Sequence, residues 1–247
     1  MMSTESTIES RTTVQVGDLE VTIVRKDIKN LHLSVYPPEG NVKVSAPVRI
    51  DDEAVRLAVI EKLGWIRRQQ RELSAQERQT PREYISGETH YFLGRPYRLR
   101  VTESDQPVGA AIRNKEWIEI YVRPGTSIQT RAKVLTEWYR EELHRRLAPL
   151  VAEWQENIGV NEFQWSIRRM KTKWGSCTPK RQILFNLELA KKSPECIEYL
   201  VVHELVHLIE PRHGDTFKCL MDRYMPNWRH LRSVLNAAPL SHQTWTY

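Results

Sequence analysis

The sequence predicts an α+β fold, a β-rich N-terminal region followed by a region in which a mixed or antiparallel sheet supports an active-site helix. Three observations carry this expectation. Residues 14–48 alternate apolar and polar side chains between turn signals, Gly17-Asp18 and Pro37-Pro38-Glu39-Gly40-Asn41. Beyond residue 126, apolar residues recur at helical spacing. Within that second pattern stands the run Val201-Val202-His203-Glu204-Leu205-Val206-His207.

Taken in order, residues 1–13 read as a flexible polar tail without the apolar core of a signal peptide. Short strands follow at Val14–Val16, Leu19–Val24, Leu31–Tyr36 and Val42–Ser45. Asp51 caps a helix predicted to run to about Ser74, with Val55, Ala58, Val59, Leu63, Trp65 and Ile66 on or near its inner face. Strands resume at Tyr84-Ile85, His90–Leu93, Tyr97–Val101, Ala110–Arg113 and Trp117–Val122, closing a β-rich region over 14–125. In the second region, 126–247, Val134, Leu135, Trp138, Leu143, Leu147 and Leu150 mark one side of a helix over 129–157. A hairpin is expected from Trp165–Cys177 and Ile183–Leu189 around a turn at Thr178-Pro179-Lys180-Arg181. Ser193, Pro194 and Glu195 form a helix start, and Pro211 ends that helix. Two further helices are expected over 215–225 and up to about 236, the second capped by Asn227.

The chemistry concentrates in the helix that starts at Ser193. His203 and His207 are four apart, so they share one helical face about a turn apart and can offer two imidazole nitrogens to one zinc ion. Glu204 suits a base acting on a water held by that metal. His, Glu and His unpaired inside an apolar helix would be costly, which argues against accident. A third ligand must come from downstream. Asp215 and Asp222 are candidates, and His213, beyond the Pro211 break, is the better one. Glu210 stands where the metzincin motif has glycine, so the pattern reads as a zincin but not a metzincin. These readings imply one Zn2+ per chain and metal-assisted peptide hydrolysis. The rival is a zinc-stabilised module that binds nucleic acid or protein without hydrolysis. Such a site would want a fourth protein ligand, Asp215 or Cys177. Tyr224 and Arg229 are the oxyanion candidates by position.

The segments Met170–Cys177, Ile183–Leu187, His203-Glu204-x-x-His207 and His213-Gly214-x-x-Phe217 together resemble the YgjP-like metallopeptidases, relatives of the SprT-like zinc proteases. The resemblance extends to the N-terminal half through Trp65-Ile66 and the pattern Gly87, Tyr91, Leu93-Gly94 and Tyr97. It implies a zincin-like metallopeptidase domain with His203, His207 and His213 as ligands and Glu204 as acid/base. It also implies that a strand over 183–189, carrying Phe185, Asn186 and Leu187, borders the cleft and pairs with an extended peptide or unfolded-protein substrate.

Composition bounds the rest. With 247 residues, 40% hydrophobic and 28% charged, the chain can bury a core, and no stretch approaches the roughly 18 apolar residues of a membrane span. A cytoplasmic location is expected. Cys177, Cys196 and Cys219 show no paired spacing, which fits a reducing compartment; Cys196 and Cys219 are expected to pack as small apolar side chains. The net charge of +6 is a weak nucleic-acid signal. Six cations without an acid lie between Glu162 and Glu188, namely Arg168, Arg169, Lys171, Lys173, Lys180 and Arg181. A solvated hairpin face is favoured over a nucleic-acid surface there. Oligomeric state is not readable.

Overall fold

The computed structural model describes residues 11–36, 39–75, 82–170 and 173–237, and the chain divides into two compact units at 79/80. The strands over 89–122 therefore belong with the helices that follow them, not with the first four strands. They share a core with those helices, including Leu99, Ile118 and Ile120 alongside Leu143, Leu147 and Val201.

The first unit holds β1 (Arg11–Val16), β2 (Leu19–Lys26), β3 (His32–Tyr36) and β4 (Asn41–Pro47) in the order β1-β2-β4-β3. The β2/β4 pair is parallel and the other two are antiparallel. Leu19, Val21 and Ile23 alternate onto the buried face, as the strand period requires. The helix expected over 51–74 is two helices, α1 (Asp52–Glu61) and α2 (Leu63–Ala75). Asp51 caps the first through Ala54 N–H at 2.7 Å. The break falls at Lys62, whose backbone leaves the helical region just before Gly64, a poor helix former. Val55, Val59 and Ile66 fill the core, whereas Trp65 lies exposed on the far side.

The second unit opens with a sheet of the same plan. β5 (Thr89–Phe92), β6 (Arg95–Glu103), β7 (Gly109–Arg113) and β8 (Trp117–Val122) lie in the order β5-β6-β8-β7, again with a parallel central pair between antiparallel ones. Tyr84-Ile85 is not a strand; Tyr84 has a φ of 54°. α3 (Ile128–Ile158) begins at a Ser127 cap and ends at Gly159, whose left-handed φ of 77° lets its N–H reach back to Gln155. Leu135, Trp138, Leu143, Leu147 and Val151 give it one buried face. Its polar side chains tie three other elements. Tyr139 donates to the Tyr91 carbonyl at 2.7 Å, Arg140 to that of Ile167 at 2.8 Å, and the Trp154 indole to Glu198 at 3.0 Å.

The expected hairpin is a three-stranded sheet. β9 (Gln164–Arg168) and β10 (Gly175–Cys177) flank β11 (Gln182–Asn186), β9 parallel to it and β10 antiparallel. One continuous strand over 165–177 would require its two halves to lie on the same side of β11; instead the chain crosses over. Arg169 and Lys173 therefore do not alternate along one strand, and Lys171 lies outside the described residues. A 3-10 turn (Leu187–Lys191) leads into α4 (Pro194–Val206), followed by α5 (Asp215–Tyr224) and α6 (Trp228–Ala237). α4 is apolar nearly all round and accordingly buried on most sides, packed with α3, α5, α6 and β10. Cys196 is buried, whereas Cys219 is exposed, which corrects the expectation that it packs inside. No helix among the described residues is long and apolar enough to cross a membrane.

Candidate metal centre

α4 places His203 and His207 one turn apart, and the chain turns back after Pro211 so that His213, just ahead of α5, faces both. The Nε2 atom of His213 lies 3.0 Å from that of His207 and 3.2 Å from that of His203. Two nitrogens each about 2.0–2.1 Å from a tetrahedral zinc ion sit about 3.3 Å apart, so the observed spacing fits such an ion. Protonation points the same way. His207 Nδ1 lies 3.1 Å from the Glu210 carbonyl, which can only accept, so Nδ1 carries the proton and Nε2 presents a lone pair to the triad. One proton cannot satisfy three nitrogens that face a common point; a cation can. Burial first, then the neighbouring imidazoles and Arg232, push His203 down to about 3, and burial also lowers His207 and His213. The rings are thus held neutral, the form in which imidazole ligates a metal.

Among the described residues, the donors that lie within 4.8 Å of one another are these three histidines. Asp215 is paired with Lys218 at 2.9 Å, Asp222 with Arg229 and the Trp228 indole, and Cys177 is not in the group. Catalytic zinc sites draw three donors from the protein where structural sites take four, and the group found among the described residues has three.

Glu204 lies beside the triad, 3% exposed, with its Oε2 buried and without a hydrogen-bond partner. Burial pushes its carboxyl up to about 8, with Lys173 offsetting part of that rise. β10 runs along this side chain and is the outermost strand of its sheet.

Several sequence expectations resolve differently. β11 is paired on both sides, so it has no free edge for a substrate, and Phe185, Asn186 and Leu187 are at most 2% exposed. Phe185 and Leu187 are core residues. Asn186 is a clamp. Its Nδ2 donates to the Met170 and Lys173 carbonyls at 2.8 and 2.7 Å, and its Oδ1 accepts from the N–H groups of Met170 and Glu188 at 3.2 Å each. Arg229 is engaged by Asp222 and lies over the Trp228 ring. Tyr224 is half-buried on the main core, with Arg223 over its ring, and no hydrogen bond among the described residues joins it to the triad or Glu204. In the basic run, Arg181 donates to the carbonyls of Asn161, Glu162 and Leu208, and Arg169 lies 3.6 Å from Glu188.

Three residues at the site are given no role by the sequence reading. Tyr199 Oη lies 3.4 Å from His203 Nδ1, one turn earlier on α4, and burial pushes its hydroxyl up to about 12. Phe217 packs its ring against all three imidazoles, with centroids 4.6 to 5.0 Å away. Arg232, one turn beyond Arg229 on α6, is the cation whose charge acts on His203, His213 and Tyr199. The i−4 spacing of Tyr199 and the i+4 spacing of Phe217 from a histidine were the signals available.

Residues 29–238 match the YgjP-like metallopeptidase domain family. No curated protein matches the chain. Among solved structures, the metallopeptidase zymogen jannalysin of Methanocaldococcus jannaschii aligns at 22% identity over 36% of this chain and 92% of its own, with a TM-score of 0.33. The metallopeptidase zymogen abylysin of Pyrococcus abyssi aligns at 17% identity over 36% and 90%, with a TM-score of 0.34.

Proposed function

We propose, for a chain that belongs to the YgjP-like metallopeptidase family, that peptide bonds are hydrolysed at one zinc ion held by His203, His207 and His213, with Glu204 as general base. The observation that carries this reading is the convergence of three imidazole nitrogens, with a buried carboxyl group alongside whose Oε2 has no hydrogen-bond partner among the described residues. Bound there, zinc supplies Lewis acidity, lowering the pKa of a water and polarising the scissile carbonyl. Glu204 takes the proton of the attacking water. Burial raises the proton affinity of that carboxyl, which suits it to accept the proton and then deliver it to the leaving amine. Tyr199 and the Glu210 carbonyl hold the His203 and His207 rings in orientation from their far nitrogens. Of the two arginines on α6, Arg229 is engaged by Asp222, and Arg232 is the one whose charge acts on His203.

The substrate strand is reassigned from β11 to β10. Its outer edge pairs with no strand among the described residues, and it borders Glu204. An extended segment added there gains backbone hydrogen bonds with little side-chain selectivity, so the substrate is a flexible or unfolded stretch of protein.

The test pairs metal analysis with mapping of new peptide termini in a lysate. Glu204→Gln is expected to retain one zinc and the folded state while losing at least about a hundredfold in rate. His213→Ala is expected to lose zinc affinity. Undiminished cleavage by the Gln variant would overturn the base assignment, and full zinc affinity without His213 would overturn the ligand set.

A further inference from the structure

The ten glycines of this chain divide by backbone and by surroundings. Six occupy the left-handed region, where glycine is favoured for conformation alone. Of the other four, Gly64, Gly109 and Gly214 would meet nothing within 4 Å if given a Cβ. Gly175 is different. Its backbone is one that any residue adopts, yet a Cβ there would lie 2.3 Å from Oε1 of Glu204, 2.8 Å from Cδ and 2.9 Å from Cγ. Glycine inside a strand weakens it, so this position carries a local cost that conformation does not explain.

We infer that Gly175 is the positioning residue for Glu204, and that the space left by its missing side chain is the seat of the carboxylate. This rests on the reading of Glu204 as the base. No hydrogen bond among the described residues holds the Glu204 carboxylate; its placement comes from shape. β10 supplies that shape, and β10 is itself fixed. Gly175 pairs with Phe185 across the ladder, the Asn186 N–H donates to the Trp174 carbonyl at 2.8 Å, and the buried Asn186 side chain grips Met170 and Lys173 on the approach to the strand. Asn186 thus acts on the base through the strand, and Gly175 acts on it by direct contact. The carboxylate can neither move toward β10 nor spread into it. Displacing a reacting group by about 1 Å costs on the order of a hundredfold in rate, so a single methyl at this place has a large lever.

The experiment is a double-mutant cycle on the full, zinc-loaded chain, read in both stability and turnover. Gly175→Ala is expected to lower Tm by about 3 to 8 °C, as overpacking does. Adding the same change to Glu204→Ala, which vacates the space, is expected to shift Tm by less than about 2 °C. In turnover, Gly175→Ala is expected to lower kcat about a hundredfold with KM within a few-fold and one zinc retained. Glu204→Asp withdraws the carboxylate by one methylene, so adding Gly175→Ala to it is expected to cost less than about fivefold further. Equal losses of Tm in the wild-type and Glu204→Ala backgrounds would overturn the inference, since the methyl would then be opposed by something other than the carboxylate. So would wild-type kcat in Gly175→Ala. The stability arm needs no catalysis, so it stands or falls apart from the Glu204→Gln test of the base itself, and it can be read as recovery of folding if Gly175→Ala alone does not fold.

Discussion

The two four-stranded sheets share one plan, a hairpin, a parallel crossing and a second hairpin, each followed by helix, yet they are used differently. In the first unit the core built on β2, β4, α1 and α2 is wholly apolar. All four buried polar or charged residues found among the described residues, His90, Asn186, Glu188 and Glu204, belong to the second unit. The hairpin tips differ in the same sense. Gly17, at the β1–β2 turn, would meet nothing with a Cβ, whereas at the β5–β6 turn Gly94 would meet Ser193 at 3.3 Å. There the N–H groups of Leu93 and Gly94 donate to the carbonyls of Ala190 and Lys191, at 2.9 and 3.2 Å. A sheet that closes on its own core can be apolar throughout. A sheet that mounts the helix bearing the histidines must accept polar burial, and polar burial is where pKa values move and chemistry becomes available.

The largest test of this contrast lies in the cores. Phe217→Ala is expected to cost about 3–5 kcal/mol and Ile23→Ala about 2–5 kcal/mol, both being nearly or fully buried. Only the first should weaken zinc binding, because Phe217 backs all three imidazoles. Denaturant titration with a competitive zinc assay measures both; equal loss of zinc affinity in the two variants would erase the distinction between the units.

A smaller effect is expected from pH. Burial, reinforced by Arg82, pushes His90 down to about 4, and Glu88, 3.4 Å from its Nε2, only partly opposes this. The unfolded chain, with histidine near its ordinary 6.5, binds a proton before the folded one does. The stability that neutral His90 confers is therefore complete above pH 6.5, is lost progressively down to about 4, and changes no further below that. The amplitude is on the order of 3 kcal/mol. Comparing wild type with His90→Gln by urea unfolding at several pH values should show a shallower dependence in the variant across that window, and an unchanged slope would refute the assignment.

The smallest effects are at the turns. Gly17→Ala and Gly94→Ala each force a left-handed alanine, at about 1–2 kcal/mol. Only Gly94→Ala, by its contact with Ser193 at the start of α4, should also lower kcat. Paired unfolding and turnover measurements would show the contrast to be empty if both variants kept full activity.

How much of this was legible in the sequence depends on distance along the chain. The i, i+4 histidines, the Asp51 cap and the one-sided face of α3 are local patterns, and capping and periodicity signals report them directly. Ser193 shows the limit of that reading, since it starts α4 without making a side-chain cap bond. The basic run over 168–181 reads as the face of a hairpin because no local signal marks the crossover between β9 and β10. The resemblance puts Asn186 at the cleft, yet a polar residue in an apolar strand has two fates, and only the partners brought to it decide which.

What the sequence determined by itself is the chemistry within one helix. His203, Glu204 and His207 are placed relative to one another by helical geometry alone, whatever packs around them. Tertiary structure decided the rest. It chose His213 over Asp215 and Asp222 as the third group by turning the chain back after Pro211, put Phe217 behind the rings, and made β10 rather than β11 the outer strand. It also set the proton affinity of Glu204, because desolvation is a property of every atom that surrounds a carboxylate, and those atoms come from β10 and α4 together, segments that meet only when the chain has folded.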